Sequence, residues 1–373
     1  MTTWLFWGSV AVIAYTYFGY PAWLWLRGRW KSVPVASAAF LPSVSIVMVV
    51  RNEAAVLQRK LRNLLALDYP PELRELVVVS DGSTDTTEQV LADHASERIR
   101  TVILSEPGGK AAGLNEAMKV AKNDIVVLID ARQQIEPGAL QLLMENFADA
   151  SIGCASGELL LGDPQSGESA RGVGLYWRME KSIRQMESDS GSVVGATGAF
   201  YAVRRRLLVP VPAETILDDV YIPMNVVRQG GRVVFDDRAH AWDIASQGNG
   251  REFGRKVRTL TGNYQLLQLA PWLLTGKNPI RFEFVSHKLC RLLVPFALAA
   301  TLVASAVLPG IFFRIVLLLQ LAFYALGMLA TLQLHGGILA RGADAAFTFV
   351  LLNAAALVAF GKFVSGRKPV WTR

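Results

Sequence analysis

The sequence predicts an α/β domain set between membrane helices, and three observations lead to this fold class. Short β-branched runs alternate with helical patterns between residues 42 and 147, which is typical of a parallel sheet covered by helices. Charged side chains are absent from residues 1–26 and from long runs after residue 291. The chain has 373 residues, of which 52% are hydrophobic, more than an ordinary soluble protein of this length carries. We therefore expect part of the chain to lie in lipid.

The first membrane segment is predicted over residues 1–26. This run is long enough to cross a bilayer, and the basic residues Arg27, Arg29 and Lys31 follow it at once, which favours a cytoplasmic location for this end. A cleaved signal peptide carries its basic residues before the apolar run, so an uncleaved helix is favoured. Residues 27–41 are interpreted as a linker to the α/β domain.

The end of the chain is predicted to form a membrane bundle over residues 289–363. Its uncharged runs are 292–313, 315–340 and 345–361. An amphipathic interfacial region over residues 251–288 precedes the bundle, and a basic tail over residues 364–373 follows it. Four full crossings would place the C-terminus outside the cell, whereas the basic tail favours the cytoplasm. One segment is therefore expected to be re-entrant or interfacial, and the sequence leaves open which one.

The charge balance and the cysteines narrow the class of protein. A formal net charge of +7 suits contact with anionic lipid and with a phosphorylated ligand, and it requires no nucleic-acid partner. Cys154 and Cys290 lie in different regions and lack metal-ligand spacing. They favour two buried apolar side chains over a disulfide framework or a zinc site.

Polar residues cluster after each of the four predicted strands, at 44–50, 76–80, 101–104 and 125–129. Open α/β sheets bind ligands at the carboxyl ends of their strands, so each loop is a candidate site. Lys110 follows the third strand in a glycine-rich turn before a helix, an arrangement suited to phosphate. The turn lacks P-loop spacing, so a solvated turn stays open as the alternative. Asp130 follows the fourth strand and could hold a divalent cation on a diphosphate.

The order and spacing of these loops resemble the family 2 glycosyltransferases, which include cellulose, chitin and hyaluronan synthases and dolichyl-phosphate mannose synthase. The resemblance covers nearly the whole chain. It implies a GT-A (Rossmann-like) cytoplasmic domain, predicted over residues 42–250, flanked by transmembrane α-helices. It also implies inversion at a nucleotide-activated sugar, usually a UDP-sugar, with help from Mn²⁺ or Mg²⁺.

The same resemblance assigns roles to the loop residues. It implies that Arg51, Glu53 and Asp81 line the nucleotide pocket, that Lys110 faces the donor, and that Asp130 is the first acid of an Asp-x-Asp motif. Taken one at a time, these residues suit ordinary turns as well as a binding site.

Further along, Leu217-Asp218-Asp219 resembles the Glu-Asp motif of the family, whose second acid is the general base. The resemblance therefore gives Asp219 that role. One positioned carboxylate suffices to accept the proton of an acceptor hydroxyl during direct displacement. The alternative is that both acids cap the helix predicted over residues 220–228.

Two departures from the family pattern affect what we expect. Arg258 matches the arginine of a Gln-x-x-Arg-Trp region and is expected to bind substrate, but Thr259 replaces its tryptophan, which favours a short product over a polymer. Arg132 replaces the second acid of Asp-x-Asp, so the metal site is expected to combine Asp130, Gln134 and donor phosphates.

The expected function is transfer of a sugar to a lipid-linked or membrane-proximal saccharide acceptor, at the inner membrane, in cell-envelope polysaccharide or glycolipid assembly. One alternative is a processive polysaccharide synthase, which the length of the product would distinguish. The other is a catalytically silent nucleotide-sugar-binding membrane protein, motivated by Arg132, which a donor-hydrolysis assay would distinguish.

Overall fold

The computed structural model describes residues 1–162, 175–243, 249–332 and 337–366. Its strands are β1 (Val44–Val50), β2 (Arg74–Asp81), β3 (Ile99–Leu104), β4 (Ile125–Ile129), β5 (Gln134–Ile135), β6 (Ile152–Leu161), β7 (Phe200–Arg204) and β8 (Arg232–Asp243). Its helices are α1 (Thr2–Ala14), α2 (Tyr20–Trp30), α3 (Ala54–Leu65), α4 (Thr87–Asp93), α5 (Lys110–Val120), α6 (Ala139–Glu145), α7 (Leu175–Asp189), α8 (Asp218–Arg228), α9 (Asn249–Leu269), α10 (Arg281–Phe284), α11 (Cys290–Val307), α12 (Ile311–Leu329) and α13 (Gly337–Val364).

One mixed sheet forms the centre of the domain, with the strand order β3-β2-β1-β4-β7-β6-β8-β5. β1 to β4 are mutually parallel where they pair. They consist largely of Val, Ile and Leu, and every residue of β1 and β4 is buried, because helices cover both faces of the sheet. The four predicted strands are confirmed, and their ends differ by no more than two residues.

The second half of the sheet was not predicted. β7 runs antiparallel to β4 and β6, while β6 and β8 are parallel. β6 contains Gly153 and Gly157, where a Cβ would meet neighbouring atoms at 2.5 Å. β8 includes the consecutive acids Asp236 and Asp237 and then Arg238. Glycines and charged residues interrupt the hydrophobic pattern on which strand prediction depends.

Three helical segments among the described residues are long and apolar enough to cross a membrane: Arg281–Val307, Ile311–Leu332 and Gly337–Val364. A turn at Pro309-Gly310 separates the first two, and Gly310 has a φ of 114° there. Residues 2–30 are helical throughout; α1 packs along α11, and Phe6 contacts Phe313 at the start of α12 with ring centroids 5.0 Å apart. Most of the predicted basic tail, from residue 367 onward, lies outside the described residues.

A network of polar side chains joins the domain to these helices. His287, in the π-helical turn before α11, faces Glu187 at 2.9 Å and Glu180 at 3.1 Å, both on α7. Tyr20 of α2 donates to Glu187 at 2.5 Å. Arg27, also on α2, pairs with Glu283. The domain, α2 and the start of α11 are therefore held together by hydrogen bonds between buried or largely buried groups.

Candidate active site

The loops after β1, β2 and β3 are bonded to one another at the carboxyl ends of their strands. Asn52, after β1, accepts from Thr84 N at 2.8 Å. Asp81, fully buried at the end of β2, accepts from Gly108 N at 2.7 Å and from Gly109 N at 3.0 Å. Gly82 has a φ of 57°, and a Cβ there would lie 2.6 Å from Pro107 N. In the structure, Asp81 therefore fixes the turn that precedes Lys110.

Lys110 connects the first half of the sheet to the start of α8. Its Nζ lies 3.0 Å from Oδ1 of Asp130 and 3.1 Å from Oδ2 of Asp218. Burial would lower the pKa of Lys110, but the Asp130, Asp218 and Asp219 carboxylates outweigh burial and raise it, so the ammonium keeps its charge. The structure thus brings two of the predicted site residues, Lys110 and Asp130, into direct contact beside a third, Asp219.

Asp219 is the neighbour of Asp218 but differs from it in its contacts. No described residue donates a hydrogen bond to the Asp219 side chain, whereas Asp218 pairs with Lys110. Burial and the adjacent Asp218 carboxylate raise the pKa of Asp219 to about 6. A carboxylate that is unbonded and has a pKa close to neutrality is suited to accept a proton from a ligand.

The turn over residues 195–198 packs directly against Asp219. Ala196 N donates to the Asp219 backbone oxygen at 2.7 Å. At Gly198, a Cβ would lie 3.0 Å from Oδ2 of Asp219. The absence of a side chain at Gly198 therefore leaves room for the Asp219 carboxylate.

Arg184 of α7 holds this turn, and none of the sequence motifs includes it. Arg184 donates to Thr197 Oγ1 at 2.7 Å and to Ser156 Oγ at 2.9 Å. Glu187, one turn further along α7, accepts from Val194 N at 3.2 Å. The spacing of Glu180, Arg184 and Glu187 places three charged groups on one face of a helix, and this pattern could have identified Arg184 from the sequence.

The remaining predicted residues have different surroundings. Arg51 and Glu53 lie in the loop after β1, and Glu53 N donates to Thr87 Oγ1 at 2.9 Å. Arg258 is exposed on α9. That helix is fixed to the loop before α8, because Gln265 accepts from Ile216 N at 3.0 Å. The structure therefore places Arg258 on a helix bonded to the segment that leads to Asp219.

The described residues do not by themselves form a metal site. No group of three His, Cys, Asp or Glu side chains within them could hold a metal ion. One oxygen of Asp130 already accepts from Lys110, and Arg132 is exposed. Gln134 lies in β5 and lines a cavity together with Asn63 and Trp242. A cation at Asp130 would therefore need most of its ligands from a bound molecule.

Comparison with known proteins gives one family match and several relatives. Residues 45–209 match the family model described as glycosyl transferase family 2. A poly-β-1,6-N-acetyl-D-glucosamine synthase of Staphylococcus aureus is 26% identical over 239 residues, which cover 61% of this chain and 56% of the synthase. The synthase of Staphylococcus epidermidis is 24% identical over 241 residues, with the same coverage of both chains. The match thus spans little more than half the length of these curated relatives.

Among solved structures, a mannosyltransferase from Pyrobaculum calidifontis in complex with GDP-Man and Mn²⁺ superposes with a TM-score of 0.74. The identity is 23%, and the superposition covers 97% of this chain and 99% of the other. The likeness shows a shared fold over nearly the whole chain. It confirms the predicted class, a GT-A domain accompanied by apolar helices.

Proposed function

We propose that the chain, whose residues 45–209 match glycosyl transferase family 2, transfers a single sugar, with inversion, from a UDP-sugar to a lipid-linked or membrane-proximal saccharide acceptor. The observation that carries this proposal is the Asp219 carboxylate, which has no hydrogen-bond donor among the described residues and lies beside the Lys110–Asp130 pair. The basic residues after position 26 support a cytoplasmic domain at the inner membrane.

In the proposed reaction Asp219 is the general base. The acceptor hydroxyl gives its proton to the Asp219 carboxylate as its oxygen bonds to the anomeric carbon. The bond from that carbon to the diphosphate oxygen breaks, and the nucleoside diphosphate leaves with the bonding electrons. A carboxylate with a pKa of about 6 is largely ionised at pH 7, yet it is basic enough to take the proton.

The donor is assigned to the carboxyl ends of β1 to β4. We assign the nucleotide to the loops that contain Arg51, Glu53 and Asp81, and the diphosphate to Lys110 and Asp130. The Lys110 ammonium, on the first residue of α5, supports this placement, because a cation at a helix N-terminus is suited to phosphate. Mn²⁺ or Mg²⁺, if bound by Asp130 and the diphosphate with Gln134 as the predicted further ligand, would neutralise charge on the leaving group.

The acceptor is assigned to the side of Asp219 that α9 borders. Arg258 on this helix is proposed to contact the saccharide or phosphate of the acceptor. Gly262 of α9 packs against Leu217, where a Cβ would lie 2.6 Å from Leu217 Cγ, so α9 and the start of α8 are in close contact. Because α9 also packs against the apolar helix α13, an acceptor anchored in lipid can reach this side.

A second candidate, a processive polysaccharide synthase, is favoured by the staphylococcal relatives, which are synthases of a polymer. Thr259, at the position of the family's tryptophan, favours the short product. The silent binding protein is set aside, because the matched family is one of glycosyl transferases and the Asp219 carboxylate lies beside the Lys110–Asp130 pair.

The proposal is tested with full-length protein in nanodiscs, a panel of UDP-sugars and a membrane lipid extract as the source of acceptor. One donor is expected to be consumed with labelled sugar appearing on an acceptor. Asp219→Asn should lower the transfer rate by about 10²- to 10⁴-fold while donor binding stays the same, since only proton acceptance is lost. Asp93→Asn, an exposed carboxamide change on α4, is the matched control. Near wild-type turnover by Asp219→Asn would overturn the assignment.

A further inference from the structure

The last helix, α13, is long and apolar enough to cross a membrane, but its neighbours place it differently. α11 and α12 form an antiparallel hairpin, which Gln320 fixes by donating to Leu298 O at 2.9 Å. Phe296 lies two residues from this bond along α11, and Phe323 lies three residues from it along α12, both on the side of the domain. Their backbones therefore differ by only about 2 Å in height along the axis of the hairpin. These two residues define one level of the hairpin.

α13 contacts the hairpin at this level twice, at Phe349 and again at Phe360. Phe349 packs against Phe323 with ring centroids 5.4 Å apart, and Phe360 packs against Phe296 at 5.1 Å. Eleven residues of helix span about 16 Å. Because the stretch begins and ends at one height on the hairpin, α13 runs across α11 and α12 instead of alongside them.

The domain helix α9 lies beside the same part of α13. Val257 packs in a small apolar cluster with Ala355 and Ala359, and Tyr264 stacks on Phe363 at 5.4 Å. Two pairs of contacts, about two helical turns apart on each helix, show that α9 and α13 run side by side.

α9 carries Arg255, Lys256 and Arg258 and is bonded to the catalytic domain through Gln265 and Ile216. If α13 crossed the bilayer, this neighbour would enter the hydrocarbon with three cations. Charged side chains at that depth are costly and rare. The domain contacts of α13 are therefore compatible with a position at the membrane surface and not with a crossing.

The face of α13 that is turned away from α9 carries exposed apolar side chains, and their chemistry indicates what this face contacts. Leu357, Val358 and Val364 are 42–67% exposed, while Ala355, Ala356 and Ala359 are buried. Large apolar side chains on the open face of a helix fit the boundary between lipid headgroups and acyl chains. Exposure of this apolar patch to water would be unfavourable.

We propose that α13 lies in the plane of the membrane as a surface-binding helix, with its exposed apolar face in the leaflet next to the catalytic domain. Together with the N-terminal helix that the sequence predicts to cross, α11 and α12 then make three crossings. An odd number of crossings puts the C-terminal end on the side of the domain, where the positive-inside rule also places a basic tail. The conflict between four crossings and that rule no longer exists.

Cysteine labelling of the full chain in intact and permeabilised cells tests this topology. Ser365→Cys reports the end of α13, Pro309→Cys the turn between α11 and α12, and Glu97→Cys the exposed surface of the domain. The unmodified chain, with Cys154 and Cys290, gives the background. With a membrane-impermeant maleimide, Ser365→Cys and Glu97→Cys should label only after permeabilisation, and Pro309→Cys in intact cells. Labelling of Ser365→Cys in intact cells would overturn the proposal.

A depth measurement in proteoliposomes checks the same proposal without cells. Nitroxides attached at Leu339→Cys, Leu357→Cys and Val364→Cys should lie at similar depths, within a few ångströms. A crossing helix would instead spread the first and last label over about 38 Å along the membrane normal, since 25 residues separate them. Depths that progress through the bilayer would contradict the in-plane helix even if the cellular labelling were ambiguous.

Discussion

Gly198→Ala tests whether the position of the Asp219 carboxylate sets the rate. The added Cβ would lie 3.0 Å from Oδ2 of Asp219, closer than ordinary van der Waals contact, and 3.5 Å from its Cγ. The carboxylate must therefore move by about 0.5 Å. A misplacement of about 1 Å can cost about 10²-fold, so we expect kcat to fall by about tenfold. Gly198 does not have a left-handed φ, so backbone strain does not contribute.

The assay is steady-state transfer, with kcat and the KM for the donor measured separately. Only kcat should change, because the alanine approaches the base and not Lys110 or Asp130. Gly276→Ala is the matched control, since nothing lies within 4 Å of a Cβ at that turn. Thermal unfolding shows whether both variants are folded. An unchanged kcat in folded Gly198→Ala, or an equal loss in Gly276→Ala, would refute the reasoning.

Three further outcomes are expected. Because the proposal makes the ionised form of Asp219, whose pKa is about 6, the general base, kcat should rise as the pH increases through 6 and level off above it, and a flat profile between pH 5 and 7 would exclude this base. Arg132→Asp should make activity depend more steeply on Mn²⁺ or Mg²⁺, since an arginine near the diphosphate neutralises charge that a metal otherwise neutralises; parallel metal titrations of variant and wild type would rule this out. From Thr259, mass spectrometry with excess donor should find one or a few added sugars, and a long ladder would contradict a short product.

The parallel half of the sheet was predictable because each strand is a short run of β-branched residues ending in polar ones. In β1 the side chains on both faces are buried, so the pattern is continuous and easily recognised. β6 and β8 break this pattern with glycines and charged residues that are needed for close packing and hydrogen bonding. Asp236, for example, accepts from Asn146 at 2.7 Å, a contact across 90 residues.

The candidate site was predictable as a set of residues but not as a set of contacts. The motifs indicated Lys110, Asp130 and Asp219, and the structure places them together. The ion pair between Lys110 and Asp218 joins residues far apart in sequence, so no local pattern could reveal it. The roles assigned by resemblance, including those of Arg51, Glu53, Arg258 and Gln134, stay predictions.

The network of polar side chains between the domain and its helices determines how this enzyme can be prepared. A fragment cut at residues 42 and 250 would lose Tyr20 and His287 and leave the buried Glu187 carboxylate without two of its three partners. Leaving a buried polar group without its hydrogen-bond partner costs about 1–3 kcal/mol, and more for a charged group. A natural domain has only about 5–15 kcal/mol of stability in total. Expressing the domain as a soluble fragment would therefore remove much of the stabilisation of α7 and of the turn that α7 supports. Biochemical work needs the intact chain in detergent or nanodiscs.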